Sequence, residues 1–152
     1  MLEMKSKYLC EVVANLDEPQ IVGETPSGIR MIFPITGGYC KGEEVSGEIL
    51  PVGADWFLLR PDGIGELDVR ATLRTNDDAL IYTYYRGVID ATSEIFEKAQ
   101  MGETVDPSEY YFRTTPVFET GSEKYNWISK IICVGVGEMG KNQVRYKIYQ
   151  VL

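Results

Sequence analysis

Apolar and polar positions alternate with a period of two along most of the chain, the spacing that sends successive side chains to opposite faces of a strand. Tyr8–Leu16, Ile29–Ile35, Val45–Leu50, Trp56–Leu59, Leu67–Leu73, Leu80–Ile89, Tyr110–Phe118, Ile128–Val136 and Val144–Val151 are rich in Val, Ile, Tyr and Phe and read as strands. Turn residues punctuate them at Pro26-Ser27-Gly28, Gly37-Gly38, Pro51-Val52-Gly53, Pro61-Asp62-Gly63 and Asn76-Asp77-Asp78. Pro61 presets φ for the first central position of a turn and Gly63 follows it, so a tight turn is expected there. Connections this short leave little room for parallel crossovers, which makes the sheet antiparallel.

One segment reads as a helix of about three turns. Thr92 or Ser93 caps it, Glu94 suits the positive end of the dipole, Ile95, Phe96 and Ala99 form an apolar face, and Gly102 stops it. The predicted fold is therefore mostly all-β. It is a single antiparallel β-barrel of about eight to nine strands with one short helix, one domain over residues 1–152.

The strand from Leu67 to Leu73 poses the functional question. Glu66, Asp68, Arg70, Thr72 and Arg74 fall on one face, Leu67, Val69, Ala71 and Leu73 on the other. Periodicity leaves two arrangements open. Half-buried antiparallel strands normally turn their apolar row to the core. The other arrangement has the charged row lining a lumen and the apolar row covered from outside.

Composition narrows the chemistry. With 15 basic and 23 acidic residues the net charge is −8, and the densest basic stretch, Lys141 to Lys147, holds three cations, so nucleic acid and anionic membrane surfaces are not expected partners. The chain has no histidine, which excludes Ser-His-Asp and Cys-His catalysis and imidazole-ligated metals. Cys10, Cys40 and Cys133 are far apart and lack C-x-x-C spacing; buried, inert thiols of a reducing compartment are expected. Met1 to Val13 alternates charged with apolar residues and has no continuous apolar core of a secretory signal, so the expected location is cytoplasmic.

Familiar motifs fail on context. Gly135-Val136-Gly137-Glu138-Met139-Gly140 matches the dinucleotide-binding glycine pattern, but Asn142 to Leu152 alternates as a strand where a helix is required. The glycines read as a hairpin turn or bulge, and no cofactor is expected. Glu43-Glu44 and Asp77-Asp78 read as solvated surface, and no loop has EF-hand spacing, so no metal is expected. Ten tyrosines, several beside arginines in Tyr84-Tyr85-Arg86 and Tyr110-Tyr111-Phe112-Arg113, suit either a barrel that holds a planar or anionic organic ligand or plain cross-strand packing.

Six blocks in order carry a resemblance: Pro34-Ile35-Thr36-Gly37-Gly38, Gly53-Ala54-Asp55-Trp56, Arg60-Pro61-Asp62-Gly63, Leu67 to Thr75, Asp106-Pro107-Ser108-Glu109-Tyr110-Tyr111-Phe112-Arg113 and Phe118-Glu119-Thr120-Gly121. Together, from about Tyr8 to Leu152, they resemble the domain of unknown function 3237 family, also catalogued as uncharacterised protein family 0311. That resemblance implies a single-domain antiparallel barrel, broadly of the allene oxide cyclase and dirigent type, without conferring a reaction. Two positions depart from the family pattern: Asp78 stands where the family usually has Gly, and Ser129 where it tends to have Asn. Asp tolerates the left-handed conformation better than most residues. In the Leu67–Leu73 strand the family's motif residues are the polar row, which implies that this row lines the lumen.

The expected function is a small-molecule-binding barrel without cofactor, with isomerisation or cyclisation of a small organic ligand in the lumen as its chemistry. Asp55 or Asp68 would be the acid or base, with its pKa set by burial and by Arg70 or Arg74. Arg74 and Arg113 would hold an oxygen anion, with Trp56, Arg70, Thr72, Tyr84 and Tyr110 completing the ligand site. The alternative is a non-catalytic carrier or protein-interaction barrel whose arginine–carboxylate row is structural. A polar row facing inward would leave Leu67, Val69, Ala71 and Leu73 to be covered by another copy, hence a homo-oligomer, dimer or higher.

Overall fold

Ten strands and one helix carry out the predicted pattern in the computed structural model, which describes residues 2–152. The strands are β1 (Ser6–Leu16), β2 (Gln20–Thr25), β3 (Gly28–Lys41), β4 (Gly47–Leu59), β5 (Gly65–Thr75), β6 (Leu80–Asp90), β7 (Tyr111–Thr114), β8 (Val117–Thr120), β9 (Ile132–Gly140) and β10 (Gln143–Val151), with helix α1 (Ser93–Gln100) after β6. All pairings are antiparallel, in the order β1-β10-β9-β7-β6-β5-β4-β3. The C-terminal half of β3 pairs back onto β1, from Glu11 opposite Lys41 to Leu16 opposite Ile35, and closes an eight-stranded barrel. β2 lies outside the ring as a hairpin on the first half of β3, and β8 pairs β6 beyond the end of β7.

Several boundaries differ from the predicted ones for local reasons. The two strands expected at Val45–Leu50 and Trp56–Leu59 are one, because Pro51-Val52-Gly53 is a bulge rather than a turn: the register with β5 shifts between Ile49 and Gly53. Gly53 has φ +95, and a Cβ there would stand 2.0 Å from the Arg70 carbonyl oxygen. The strand expected over Tyr110–Phe118 breaks at Thr115-Pro116, because proline cannot donate to a ladder. α1 is eight residues, nearer two turns than three; Thr92 Oγ1 accepts from Ile95 N–H, and Gly102 ends it at φ +80. β2 has mostly exposed side chains and no buried row, so it carried no strand signal.

The turn at Pro61-Asp62-Gly63 forms as expected, closed by Gly63 N–H to Arg60 O at 3.0 Å. Asp78 does adopt the left-handed conformation, φ 70, in the β5–β6 hairpin. Its neighbour Asp77 is more than solvated surface: it accepts from Thr75 Oγ1 and from the Tyr125 hydroxyl, each at 2.7 Å, and from Lys124. Those donors, Lys124 first, hold its carboxyl well below the usual range.

The glycine pattern at 135–140 is not a hairpin turn. It is the body of β9, and the turn follows at Lys141-Asn142, where Asn142 has φ 56. Gly135 and Gly137 are buried, and a Cβ on Gly137 would stand 2.6 Å from the Phe112 ring. The small residues make room for large ones on the facing wall.

The β5 rows settle the orientation against the family-implied arrangement. Leu67, Val69, Ala71 and Leu73 are buried in the core. Arg70 and Arg74 are exposed, with Glu66, Asp68 and Thr72 half-buried on the same outer face. Eight closely spaced strands enclose room for side chains, and four charged groups without partners in that space would cost far more than an apolar row. With the apolar row inside, β5 leaves no outer stripe for a second copy to cover.

Candidate functional site

The lumen divides into two compartments along the barrel axis. One end, where β3 and β5 finish and β6 begins, is filled by Cys10, Cys40, Ile49, Ile81, Phe118 and Ile128, leaving a void of about 40 Å³. Its three cysteines are buried and free, as expected; burial pushes the Cys133 thiol up to about 11. The other end holds a cavity of about 390 Å³ between the barrel wall and α1. Met31 and Phe33 of β3, Phe57 and Leu59 of β4, Leu67 of β5 and Ile89 of β6 form its wall, and Phe96 and Glu97 of α1 stand at its mouth.

Asp55 is the polar feature of that cavity. Alternation along β4 sends Asp55, Phe57 and Leu59 inward and Trp56 outward, and only 9% of Asp55 is exposed. Its Oδ1 accepts from the Asp68 backbone N–H at 3.1 Å. Burial pushes the carboxyl up to about 7; the Asp68 N–H pulls it back, the Asp68 charge adds to the rise, and Arg30 lowers it weakly. No lysine or arginine is among the described residues that line the cavity.

A pair of phenols closes the waist between the compartments. Asp55 pairs with Val69 and Val69 with Tyr85, so Asp55 and Tyr85 occupy one level on β4 and β6. Tyr85 donates to the Tyr146 hydroxyl at 3.0 Å, and the two rings meet edge to face with centroids 5.3 Å apart. Phe112 packs against Tyr146 in the same way at 5.5 Å. Burial holds both phenols above the usual tyrosine range, and the Asp55 charge adds to each rise.

The other candidate residues do not gather here. Asp68 reaches Asp55 through its backbone only; its side chain faces outward, 3.8 Å from Arg86. Trp56, Arg70 and Tyr84 are exposed on the outer wall, where Arg70 and Tyr84 are direct neighbours across β5 and β6. Thr72 lies on the same outer row, and Arg74 pairs with Glu48 at 3.5 Å and Asp78 at 3.6 Å. Arg113 stacks on Tyr111, 4.9 Å from its centroid, and donates to the Phe112 carbonyl. Tyr110 is buried, but its hydroxyl accepts from Met139 N–H at 3.0 Å as a tie between β9 and the segment before β7. Arg70 and Arg74 therefore do not set the Asp55 pKa; burial does.

Phe33, Phe57 and Tyr146 were not singled out in the sequence, Phe96 entered only as part of the helix's apolar face, and Tyr85 only within Tyr84-Tyr85-Arg86. Alternation held a signal for one of them, since in Tyr84-Tyr85 only one ring can face inward. Among the described residues, no group of three or more Cys, Asp or Glu side chains is placed to hold a metal ion, and no helix is long and apolar enough to cross a membrane.

Fold and site together define a closed antiparallel β-barrel with a helix-covered, apolar lumen and one buried carboxyl. Residues 4–151 match the DUF3237 family, described as a protein of unknown function, and the chain belongs to that family. It is 37% identical over 149 residues to the UPF0311 protein RPA1785 of Rhodopseudomonas palustris, covering 98% of this chain and 97% of the relative. The crystal structure of that protein superposes with a TM-score of 0.94 over the whole of both chains. A β-barrel-like protein from Acinetobacter baumannii gives 0.87 at 33% identity, over 100% of this chain and 98% of the other. An enzyme from Penicillium herquei gives 0.74 at 19% identity, over 100% and 97%, a likeness of fold alone.

Proposed function

We propose that the open half of the lumen binds a small, largely apolar organic molecule and that Asp55 moves a proton on it in a redox-neutral rearrangement, an isomerisation or cyclisation. The observation that carries this reading is a carboxyl only 9% exposed, pushed up to about 7 by burial, in the wall of a mainly apolar cavity of about 390 Å³. Ligand pockets run from about 300 to 1,000 Å³, and a catalytic acid works best when its pKa lies near the operating pH. The acid form of Asp55 gives its proton to an unsaturated atom of the ligand. The carboxylate left behind takes a proton from another atom, so atoms and electrons balance within the substrate. The faces of Phe33, Phe57 and Phe96 suit the positive charge that develops between those two events.

The outer row supports a second reading for itself alone. Arg74 with Glu48 and Asp78, and Arg86 with Asp68, link β4, β5 and β6 on the solvent side and fix their register.

A screen of small apolar molecules by thermal shift, followed by proton–deuterium exchange in D2O, tests the lumen reading. Ligand at about 100 times its Kd stabilises by roughly 2.7 kcal/mol. The shift should vanish when Phe33→Trp fills the cavity, and exchange into the ligand should be lost in Asp55→Asn while binding persists. A shift that survives Phe33→Trp unchanged moves the site elsewhere; exchange that survives Asp55→Asn removes its role.

A further inference from the structure

Resting on the lumen as the binding site, we infer that its ligand is an uncharged molecule that accepts a hydrogen bond from the acid form of Asp55, and that the lumen rejects carboxylates and phosphates. The first ground is what lines the space. Apart from Asp55 and, at the mouth, Glu97, its wall is apolar side chains, uncharged polar groups of α1 and the β9–β10 turn, and glycine. An anion entering would meet two carboxyls and no cation, in a protein whose net charge is −8. The arginines that suit an anion stand on the other side of the wall, spent on Glu48, Asp78, Asp68 and Tyr111.

The second ground is the state of Asp55 once the cavity is full. A ligand displaces the water that the carboxyl still meets. An unpaired carboxylate under an apolar molecule loses most of its solvation, whereas the acid form keeps a donor for the ligand. The groups that act on Asp55 do not reverse this. From β3, Arg30 is spent on the Trp56 carbonyl at 2.8 Å; from β5, Asp68 offers one N–H to Oδ1. The Asp68 charge, also from β5, adds to the rise, and from β6 and β10 Tyr85 and Tyr146 remain neutral phenols. Proton uptake therefore accompanies binding.

Four probes on one scaffold test this: 4-phenylcyclohexanone, 4-phenylcyclohexanol, 4-phenylcyclohexylamine and 4-phenylcyclohexanecarboxylate, titrated calorimetrically against the native protein at pH 6 and pH 8. Ketone and alcohol should bind and the carboxylate should not. With burial pushing the Asp55 carboxyl up to about 7, ketone affinity should weaken about tenfold from pH 6 to pH 8, as the competent acid fraction falls. Asp55→Asn, shown folded by its melting curve, should bind the ketone with no pH dependence. Native ketone binding that is flat with pH, or carboxylate binding equal to the ketone, overturns the inference while leaving the lumen as a binding site. So does an amine that binds more tightly than the ketone at pH 8 and depends on Asp55, which would mark an ionised carboxyl pairing with a cation. If no probe binds, or if ketone binding persists unchanged in Phe33→Trp, the lumen reading itself fails.

Discussion

The two halves of the lumen are built from the same strands and differ in what the strands send inward. From the waist to the filled end the inward positions are matched large against small: Phe112, beside Tyr146 at the waist, is fully buried over Gly137, and Ile128, from a turn of 3₁₀ helix at Asn126–Lys130, plugs the bottom. At the open end Met31, Phe33, Phe57 and Met139 surround space that no side chain occupies, and α1 covers it with Phe96 and Ala99. Interiors normally pack to crystal-like density, so an unfilled apolar space of this size at one end of one barrel marks where packing was given up for something else. Asp55 stands at the border, lining the open half at the level of Tyr85, one of the two tyrosines that seal the other.

Substitutions that trade features between the halves test that contrast. The largest effect is expected from Phe112→Ala, a fully buried ring in a packed wall, at about 3–5 kcal/mol by urea denaturation. Phe96→Ala at the mouth should cost about 1 kcal/mol, since the ring is half-buried beside space that already exists. Equal losses would mean that the two ends are equally packed.

Next comes Asp55. Its folded pKa of about 7 lies above the ordinary 3.8, so between those values the folded state holds a proton that the unfolded chain has released. Stability should be greatest at the acid end of that window and fall as pH rises toward 7, levelling above it. Asp55→Asn should match the native protein near pH 4 and exceed it at pH 8 by roughly 2–4 kcal/mol. A native melting temperature that does not fall between pH 5 and pH 8 would contradict this.

Gly137→Ala should destabilise by about 1–3 kcal/mol, as the added methyl presses on the Phe112 ring. Smallest of all is Arg74→Ala, whose ion pairs lie in solvent: up to about 1 kcal/mol, with no change in binding of a lumen ligand. A loss of ligand binding in that variant would return the arginine row to the site.

How far the sequence reached depends on the range of the forces involved. The strands around Leu67–Leu73 and Leu80–Ile89, the Thr92 cap, the Gly102 stop and the turn at Pro61 were legible because period, capping and φ preference act within a few residues. Asp55 was legible as a candidate acid, and its companions were not. Phe33, Asp55, Val69 and Tyr85 share one level of the barrel only through the register of β3 against β4, β5 and β6. A bulge at Pro51–Gly53 shifts that register, and the Pro-Val-Gly signal there marks a break without saying that the strand continues through it.

An antiparallel, mostly β domain without imidazole chemistry follows from the chain alone, because alternation, turn residues and composition are local properties. Which row of β5 faces inward, that the dinucleotide-like glycines are the floor under Phe112, and that one end of the lumen is full and the other open were decided only by closure of the barrel. Burial and desolvation are properties of the assembled wall, and they are what leave Asp55 as the one candidate acid inside the lumen while the arginines stay in water.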